Sequence, residues 1–406
     1  MWGLSFVFLG LLFFILFREG NKRIGGLLLT AFLARTCAAL IHSYVFVLPS
    51  GCCDAKKFER VAWEWAQIDL MSNFDPTSSY LISWLGAILY SIFDRDMLLL
   101  QMFNVSLGTL TVYIVYYTAS HITEEKYAFT IGWFFALHPT IIENSAVFLR
   151  EVQIIFFLSL SILFLIKWFI YGRLYQMVTA IICIILSALF HGAMIAGLLV
   201  MMLVIGLVLL RRLISLINSP WLKKGTIGTV FIFVIGIGLV AAMGLPSLSS
   251  IGNLERLTDA DEVASSAGVE VENRTTGNAV YLAGMTTSNP VDMLWQAPIR
   301  SIYFLFSPFP WDIRAFPHLK GFIDSGFLFY ISFLMWSYRK ELWENDVFRY
   351  LFYILVIFIL VFSFGASNFG TAIRHKSKFL PIFMLFYGLK SFGNMQQTPS
   401  TYTYIK

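Results

Sequence analysis

Asp54 is the side chain that we expect to act as a general base. It begins a segment in which apolar residues recur at helical spacing from Phe58 to Ile68, with charged residues on the opposite face. Such an amphipathic helix lies at an interface, where a carboxylate can reach a hydroxyl group and remove its proton. The alternative is that Asp54 caps this helix or stabilises its first turn, a role that requires no active site.

A group of basic residues near the C-terminal end suits the binding of an anion. The segment GASNFGTAIRHKSKF, 365–379, places four of them within five positions: Arg374, His375, Lys376 and Lys378. Arginine offers phosphate or pyrophosphate a planar bidentate fork, and lysine offers a point charge. Arg150 and Arg300 are further candidates for the same role. The alternative is that the basic group belongs to a cytoplasmic loop, where such residues accumulate.

The third group of candidates consists of ionisable residues beside apolar stretches, where they are costly and mark functional sites. Its members are His138, Glu143, Glu151 and His191. Three of them lie in the segment HPTIIENSAVFLRE, 138–151, and the fourth lies in a short turn between two apolar stretches. The alternatives are an interfacial pair of Arg150 with Glu151, and a histidine that bonds a helix terminus.

Metal ions and disulfides find little support in the sequence. The acidic groups at 94–96 and 259–262 are better explained as solvated loop charge, because hard divalent cations need converging oxygens. Cys52 and Cys53 are adjacent, with Cα atoms about 3.8 Å apart, which is below the usual range for a disulfide. No cofactor is expected.

The elements that must position these residues follow from a deficit of charge. The chain of 406 residues has 29 Lys and Arg and 24 Asp and Glu, and 58% of its residues are hydrophobic. A soluble protein of this length would carry roughly 100 charged residues. The deficit excludes a soluble enzyme, a disordered tail and a nucleic-acid-binding protein. It predicts an all-α, polytopic helical membrane protein embedded in the lipid bilayer.

Eleven apolar stretches, each long enough to be helical, are predicted to be the spanning helices. They fall at 2–17, 25–48, 97–119, 126–147, 152–171, 174–190, 193–210, 226–243, 321–337, 347–365 and 378–391. Arg18, Lys22 and Arg23 follow the first stretch, which predicts an N-terminus outside and a first loop in the cytoplasm. Alternation then predicts a cytoplasmic C-terminus and brings the candidate site residues to the outer side.

The whole chain, 1–406, is predicted to form one integral membrane domain with two external segments. The first, 50–96, contains the amphipathic helix and an apolar stretch at 74–93, which is expected to dip into the outer leaflet. The second, 244–317, begins polar and acidic and ends rich in aromatic residues and prolines. We expect its second half to lie at the interface and to lack one continuous helix.

This layout resembles the GT-C superfamily of polytopic membrane glycosyltransferases. The matching residues are CCDAKKFERVAWEWA, with Asp54 at the position of the catalytic aspartate of the first external loop, and FDPTSSYLISWLGAILYSIF, which is similar to the jutting segment. The segments at 138–151 and 374–381 resemble bacterial O-antigen and exopolysaccharide polymerases of the Wzy type. The first loop carries a single aspartate in place of an acidic pair, which leaves dependence on a divalent metal open.

The resemblance implies an enzyme of the bacterial cell envelope that acts at the outer face of the cytoplasmic membrane on undecaprenyl-linked sugars. Asp54 would deprotonate a hydroxyl of the glycan acceptor. The donor phosphate or pyrophosphate would be held by Arg150, Arg300, Arg374, Lys376 and Lys378. Acceptor hydroxyls or phosphates would be oriented by His138, His191 and His375, with Glu143 and Glu151 as supporting residues.

Three functions fit this interpretation. The first is the polymerisation of repeat units of a cell-surface polysaccharide, which the resemblance favours. The second is the transfer of a single sugar from a polyprenyl-phosphate donor. The third, from a different class, is a flippase or transporter of lipid-linked oligosaccharides, which would be expected to show internal repeats and polar groups near the bilayer midplane.

Overall fold

The regular secondary structure of the described chain is helical, as predicted. The computed structural model describes residues 2–216, 281–282, 290–313, 316–366 and 368–395, apart from Asp69, Thr77 and Ser79. Up to residue 216 the helices are α1 (Trp2–Gly20), α2 (Lys22–Tyr44), α3 (Asp54–Ala66), α4 (Leu81–Phe93), α5 (Met97–Ser120), α6 (Glu125–Leu137), α7 (Pro139–Ala146), α8 (Glu151–Tyr171), α9 (Leu174–Phe190) and α10 (Ile195–Leu216). From residue 290 they are α11 (Pro290–Phe306), α12 (Phe316–Ser337), α13 (Arg339–Glu344), α14 (Asp346–Phe364), α15 (Phe369–Leu385) and α16 (Lys390–Met395).

Six of the eleven predicted spans correspond, within the described ranges, to helices that are long and apolar enough to cross a membrane. They are α1, α2, α5, α8, α14 and the segment Gly192–Arg211, which contains most of α10. Three other stretches fall in shorter or more polar elements: 174–190 is the 17-residue α9, 321–337 lies within α12, and 378–391 is divided between α15, a 3₁₀ turn and α16. The stretch 226–243 lies outside the described residues.

The predicted span at 126–147 is wrong as a single helix, because it breaks at Pro139. α6 ends at Leu137, His138 takes an extended conformation with φ −66° and ψ 121°, and α7 begins at the proline. Proline lacks the N–H that would continue the ladder and disfavours helical geometry in the residue before it. The break leaves the last carbonyl groups of α6 in need of donors.

Arg35, a fully buried residue of α2, provides those donors. Its Nη1 donates to the carbonyl oxygen of Ala136 at 2.8 Å and to that of Ala31 at 3.0 Å, and its Nη2 donates to Phe135 at 3.4 Å. Basic side chains near a helix C-terminus satisfy its carbonyls and interact favourably with its dipole. Arg35 is the one charged residue within the predicted spans 2–17 and 25–48. Its hydrogen bonds stabilise the C-terminal end of α6.

We expect Arg35→Leu to destabilise the protein strongly. The substitution leaves the carbonyl groups of Phe135 and Ala136 buried without these donors, at a cost of about 1–3 kcal/mol for each group. Thermal unfolding in detergent measures the effect. Thr30→Val on the same helix removes a bond to the carbonyl of Gly26 and should change the Tm much less, because that carbonyl stays within the helix. An unchanged Tm for Arg35→Leu would contradict this assignment.

The segment at 50–96, which we predicted to be external, contains two packed helices. α3 is the predicted amphipathic helix, and α4 occupies the C-terminal part of the apolar stretch at 74–93. Glu59 joins them: Oε1 accepts a hydrogen bond from Tyr90 at 3.0 Å, and both carboxylate oxygens accept from Arg95. Glu59 is therefore a packing residue, where the sequence suggested a solvated face. With 13 residues, α4 is too short to cross a bilayer.

The segment at 244–317, the second one predicted to be external, is described only from 281 to 282, from 290 to 313 and at its end. α11 continues through Pro298, so this proline does not end a helix. The prediction that 290–317 lacks one continuous helix nevertheless holds, because α11 ends at Phe306 and a 3₁₀ turn, Pro310–Asp312, precedes α12.

The centre of the bundle is formed by α5, α8 and α15. α5 packs against α1, α2, α6, α7 and α8, and most of its residues are buried. α1 lies at the periphery, where most of its residues are exposed. α15 packs against α8, α11, α12 and α14. Side chains on different faces of α15 therefore reach different neighbours, and this decides where its four basic residues lie.

Candidate functional site

Asp54 is the first residue of α3 and contacts the far end of the chain. It follows a 3₁₀ turn, Pro49–Gly51, and the N-cap residue Cys53. Its Oδ2 accepts a hydrogen bond of 2.8 Å from Nη1 of Arg374, 320 positions later in the sequence. Asp54 occupies the first turn, as the structural alternative expected, but its carboxylate also belongs to an ion pair. About half of the side chain, 53%, is exposed.

Arg374 joins Asp54 to Glu151. Its Nη2 and Nε both donate to Oε1 of Glu151, at 2.8 and 3.1 Å. Glu151 begins α8 and is 1% exposed, so a buried carboxylate supports the guanidinium from behind. Glu151, with Asp54 beside it, raises the pKa of Arg374 above its ordinary value. One arginine thus connects the starts of α3, α8 and α15.

Arg150 adds a second guanidinium to this site. It immediately precedes α8, and its guanidinium carbon lies 5.8 Å from the centre of the Phe58 ring on α3. Burial lowers the pKa of Arg150, while the charge of Glu151 opposes that shift. The site therefore carries two arginines beside two carboxylates, and arginine stays charged across the physiological range.

Two histidines and a lysine form the inner side of the site. Nζ of Lys378 lies 2.9 Å from Nδ1 of His375, and it sits 5.3 Å from the centre of the Phe362 ring. The His375 ring lies edge-on to the His191 ring, with 5.5 Å between the ring centroids. His191 occupies the turn between α9 and a short 3₁₀ helix, where its Nδ1 accepts from the backbone N–H of Ala193.

Seven of the eleven predicted site residues thus lie together, and we call them the Asp54 cluster. Its members are Asp54, Arg150, Glu151, His191, Arg374, His375 and Lys378. They come from four separate parts of the sequence. Of the basic group at 374–378, Arg374 bonds the carboxylate of Asp54 directly.

Lys376 and His138 belong to a second buried group on the opposite side of α15. Nζ of Lys376 donates to the carbonyl oxygens of Leu305 and Ser307 and to Oγ of Ser325, at 3.0–3.2 Å. Nε2 of His138 lies 3.6 Å from Oδ1 of Asp324. The contacts of Lys376 join α15 to α11 and α12, so this side chain has a role in packing. Its assignment to donor binding stays a prediction.

Glu143 holds the turn that leads to Asp54. Its Oε1 accepts from the backbone N–H of Ser50 at 2.8 Å, and its Oε2 accepts from Lys320 at the start of α12. The 3₁₀ turn Pro49–Gly51 is therefore bonded to α7 and through it to α12. Glu143 thus contacts the loop before Asp54, and its assignment as a supporting residue stays a prediction.

Arg300 lies apart from the Asp54 cluster. It is buried in α11, where Nε donates to Oε1 of Gln296 at 2.9 Å and the guanidinium lies 5.9 Å from the Phe364 ring. Nearby, Tyr281 donates to the carbonyl oxygen of Ala366 at 2.8 Å. Arg300 therefore faces the end of α14, and its role in donor binding also stays a prediction.

Sequence reasoning missed Asp324, Lys320 and Thr140. Asp324 is 5% exposed and accepts a hydrogen bond from Thr140, opposite His138. It is the one acidic residue in the predicted span 321–337, and a carboxylate in an apolar stretch is a candidate functional residue by default. That signal was present in the sequence. The pairing of Lys320 with Glu143 was not, because the two residues are 177 positions apart.

Stability should fall on acidification because of His191. Burial lowers the pKa of His191 well below its ordinary value, and the charges of Lys378 and Arg150 act in the same direction. Below about pH 6.5, His191 is protonated in the unfolded chain but stays neutral in the folded chain. The free energy of unfolding therefore decreases as pH falls. We expect His191→Asn, which keeps a cap acceptor for Ala193, to flatten the fall of Tm between pH 7 and pH 5. An equally steep fall in the variant would contradict the assignment.

Comparison with known proteins matches part of the chain to a family of sugar transferases. Residues 71–249 match the dolichyl-phosphate-mannose-protein mannosyltransferase family model. The match covers less than half of the chain. It includes Arg150, Glu151 and His191, whereas Asp54 and Arg374 lie outside it. It agrees with the expected resemblance to GT-C glycosyltransferases, and the Wzy-type polymerase stays a prediction. No curated protein gives a significant match.

Solved structures with a similar arrangement include oligosaccharyltransferases of an archaeon. The apo oligosaccharyltransferase of Archaeoglobus fulgidus is 13% identical, with a TM-score of 0.45, and the match covers 93% of this chain and 53% of that one. The oligosaccharyltransferase AglB of the same organism, in complex with an inhibitory peptide and a dolichol-phosphate, is 12% identical, with a TM-score of 0.48, and the match covers 93% and 52%. The chain thus spans about half the length of the structures it matches.

Proposed function

We propose that the protein is a membrane glycosyltransferase that takes a sugar from a polyprenyl-linked donor. The observation that carries the proposal is the contact of Asp54 with Arg374, which brings a partly exposed carboxylate and an arginine-rich site together from opposite ends of the chain. A carboxylate suits deprotonation of an acceptor hydroxyl, and guanidinium groups suit a donor phosphate. The family match at 71–249 supports the same class of reaction.

In the proposed reaction Asp54 removes the proton from an acceptor hydroxyl. The oxygen then attacks the anomeric carbon of the donor sugar, a C–O bond forms, and the bond between that carbon and the phosphate oxygen breaks. The polyprenyl phosphate leaves as an anion, and its developing negative charge is stabilised by Arg374 and Arg150. Preorganised charges of this kind commonly supply the largest part of such a rate enhancement.

The contacts of Arg374 suit it to bind the donor phosphate while it holds the carboxylate of Asp54. Its guanidinium has five N–H groups, of which three are engaged by carboxylates among the described contacts: Nε and one on Nη2 by Glu151, and one on Nη1 by Asp54. The remaining two project from the terminal nitrogens, where a phosphate could accept both. Glu151 keeps the fork rigid, which lowers the entropic cost of binding the donor.

Two donor classes fit this site, and the family match favours one of them. The name of the matched family specifies a dolichyl phosphate mannose donor, which is a single sugar on a polyprenyl monophosphate. This favours transfer of a single sugar over the polymerisation of repeat units that the Wzy-type resemblance implied. We further propose an undecaprenyl carrier and a site on the outer face of the bacterial cytoplasmic membrane, with the N-terminus outside and the C-terminus in the cytoplasm.

A transfer assay with defined donors tests the proposal. Purified protein in lipid nanodiscs would be incubated with polyprenyl-monophosphate sugars or with polyprenyl-pyrophosphate oligosaccharides, each with a glycan acceptor. We expect release of polyprenyl monophosphate together with glycosylated acceptor. Release of pyrophosphate carrier and lengthened glycan would support the polymerase instead. In sealed proteoliposomes, movement of intact lipid-linked sugar across the bilayer with no sugar transferred would show the transporter class and overturn the proposal.

A further inference from the structure

Two thiols stand side by side at the entrance to α3. Cys52 and Cys53 are both exposed, and their Sγ atoms lie 2.9 Å apart. Sγ of Cys52 also lies 3.6 Å from the carbonyl oxygen of Pro49. The other two cysteines, Cys37 and Cys183, lie in α2 and α9. The pair is therefore accessible to a reagent in solution and already has its sulfur atoms in contact.

The backbone at this point has an unusual conformation. Cys53 has φ 54° and ψ −98°, in a region that residues with a Cβ rarely adopt. Such conformations persist where the surroundings impose them and often occur at functional sites. The next residue is Asp54, and the carbonyl oxygen of Cys53 accepts the backbone N–H of Lys57 in the first turn of α3. Any rearrangement of the two cysteines therefore acts on the first turn of the helix that carries Asp54.

The chain before the cysteines is held in place, so a rearrangement cannot easily be absorbed on that side. The N–H of Ser50 is bonded to Glu143, and that of Gly51 is bonded to the carbonyl oxygen of Leu48. Gly51 also packs so closely on His42 that a Cβ at this position would lie 2.1 Å from the imidazole ring. The displaced element would be the start of α3, with the carboxylate of Asp54.

We propose that Cys52 and Cys53 form a reversible thiol–disulfide modification site. A thiolate of the pair attacks the disulfide of an external oxidant, either a low-molecular-weight disulfide or a protein disulfide, and one thiol of that oxidant leaves. The second cysteine then attacks the mixed disulfide and releases the other thiol. The pair loses two electrons and two protons, and the external disulfide is reduced to two thiols.

The product is a ring that includes the peptide bond between the two cysteines. Because adjacent Cα atoms are only about 3.8 Å apart, closer than in ordinary disulfides, the bond is strained and readily reduced again. Closing the ring changes the backbone at Cys53 and moves Asp54 relative to Arg374. The consequence for sugar transfer rests on the proposed function, in which Asp54 is the base, whereas the modification site itself does not.

Mass spectrometry of the full chain in nanodiscs tests the site. The protein is treated with oxidised glutathione, unreacted thiols are alkylated, and peptides are mapped. We expect a peptide containing both cysteines with no alkyl group and a mass lower by about 2 Da, the two hydrogen atoms lost. Treatment with a phosphine reductant should restore two alkylation sites. Two alkylated thiols after oxidation, or a stable glutathione adduct on either cysteine, would overturn the proposal.

Single substitutions provide matched variants. Cys53→Ser and Cys52→Ser remove the partner thiol, so each should give a glutathione adduct in place of the 2 Da loss. Cys37→Ser, which lies outside the pair, should show the same 2 Da loss on oxidation as the chain without substitutions. If the mass change occurs and no sugar transfer is ever detected, the modification site stands and the proposed function fails. If transfer is detected and is equally fast in oxidised and reduced protein, the coupling to Asp54 is wrong.

Discussion

Asp54→Asn is expected to reduce sugar transfer by about 10²- to 10⁴-fold, the usual contribution of a positioned general base. The amide has almost the same shape as the carboxylate, and its oxygen can still accept the hydrogen bond from Nη1 of Arg374. It cannot take a proton from an acceptor hydroxyl. The loss should therefore appear in kcat, measured as glycosylated acceptor formed per unit time, with little change in the donor KM.

Glu64→Gln is the matched control for this substitution. Glu64 lies on the same helix, α3, where it forms an exposed pair with Arg60. The same change from carboxylate to amide should leave the transfer rate essentially unaltered at this position, because the pair is solvated and contributes little. Normal transfer by the Asp54→Asn protein would exclude Asp54 as the base. Equal losses in both variants would point to a general defect of α3.

Arg374→Ala should have a large effect of a different kind, because it removes both the phosphate ligand and the partner of Glu151. Glu151 is almost fully buried and its Oε1 accepts two hydrogen bonds from Arg374. Breaking this buried ion pair leaves Glu151 with Arg150 and Lys378 as its nearby positive charges and without its hydrogen-bonded partner. The cost is about 3 kcal/mol, the lower end of the range for buried pairs, because the arginine is partly exposed. We expect a Tm lower by several degrees and a loss of donor binding, both measured on protein in detergent.

The double variant Arg374→Ala with Glu151→Gln separates the two effects. Replacing the buried carboxylate by a neutral amide removes the uncompensated charge, so most of the lost stability should return. Donor binding should stay weak, because the guanidinium is still missing. Arg60→Ala, which breaks the exposed pair with Glu64, should change neither property measurably. Recovery of donor binding in the double variant would show that Arg374 acts only through stability.

Much of the fold could be predicted because the apolar stretches are long and their ends are marked by charges. Six predicted spans correspond to helices of spanning length, and the amphipathic helix begins at Asp54, as expected. The stretch at 126–147 failed at Pro139, whose effect on a helix was visible in the sequence. The role of Arg35 there was not visible, since its contact with Ala136 joins residues 101 positions apart.

The candidate site could be predicted in its residue types but only partly in its grouping. Lys376 and Lys378 were expected to act together, yet they lie on different sides of α15. Positions two apart on a helix point roughly 200° away from each other, because each residue advances the helix by about 100°. Lys378 therefore meets His375 near α8 and α9, while Lys376 meets Ser307 and Ser325 on α11 and α12.

The sequence by itself determined that the protein lies in a lipid bilayer and that its structure is helical. With so few charges and so many apolar residues, the backbone must satisfy its polar groups within helices, and this follows from composition alone. Only the tertiary structure decided which of the few charges meet. The pairing of Asp54 with Arg374, and of Arg374 with Glu151, depends on how α3, α8 and α15 pack. Helix packing brings residues together across hundreds of positions, and local patterns in a sequence carry no record of that distance.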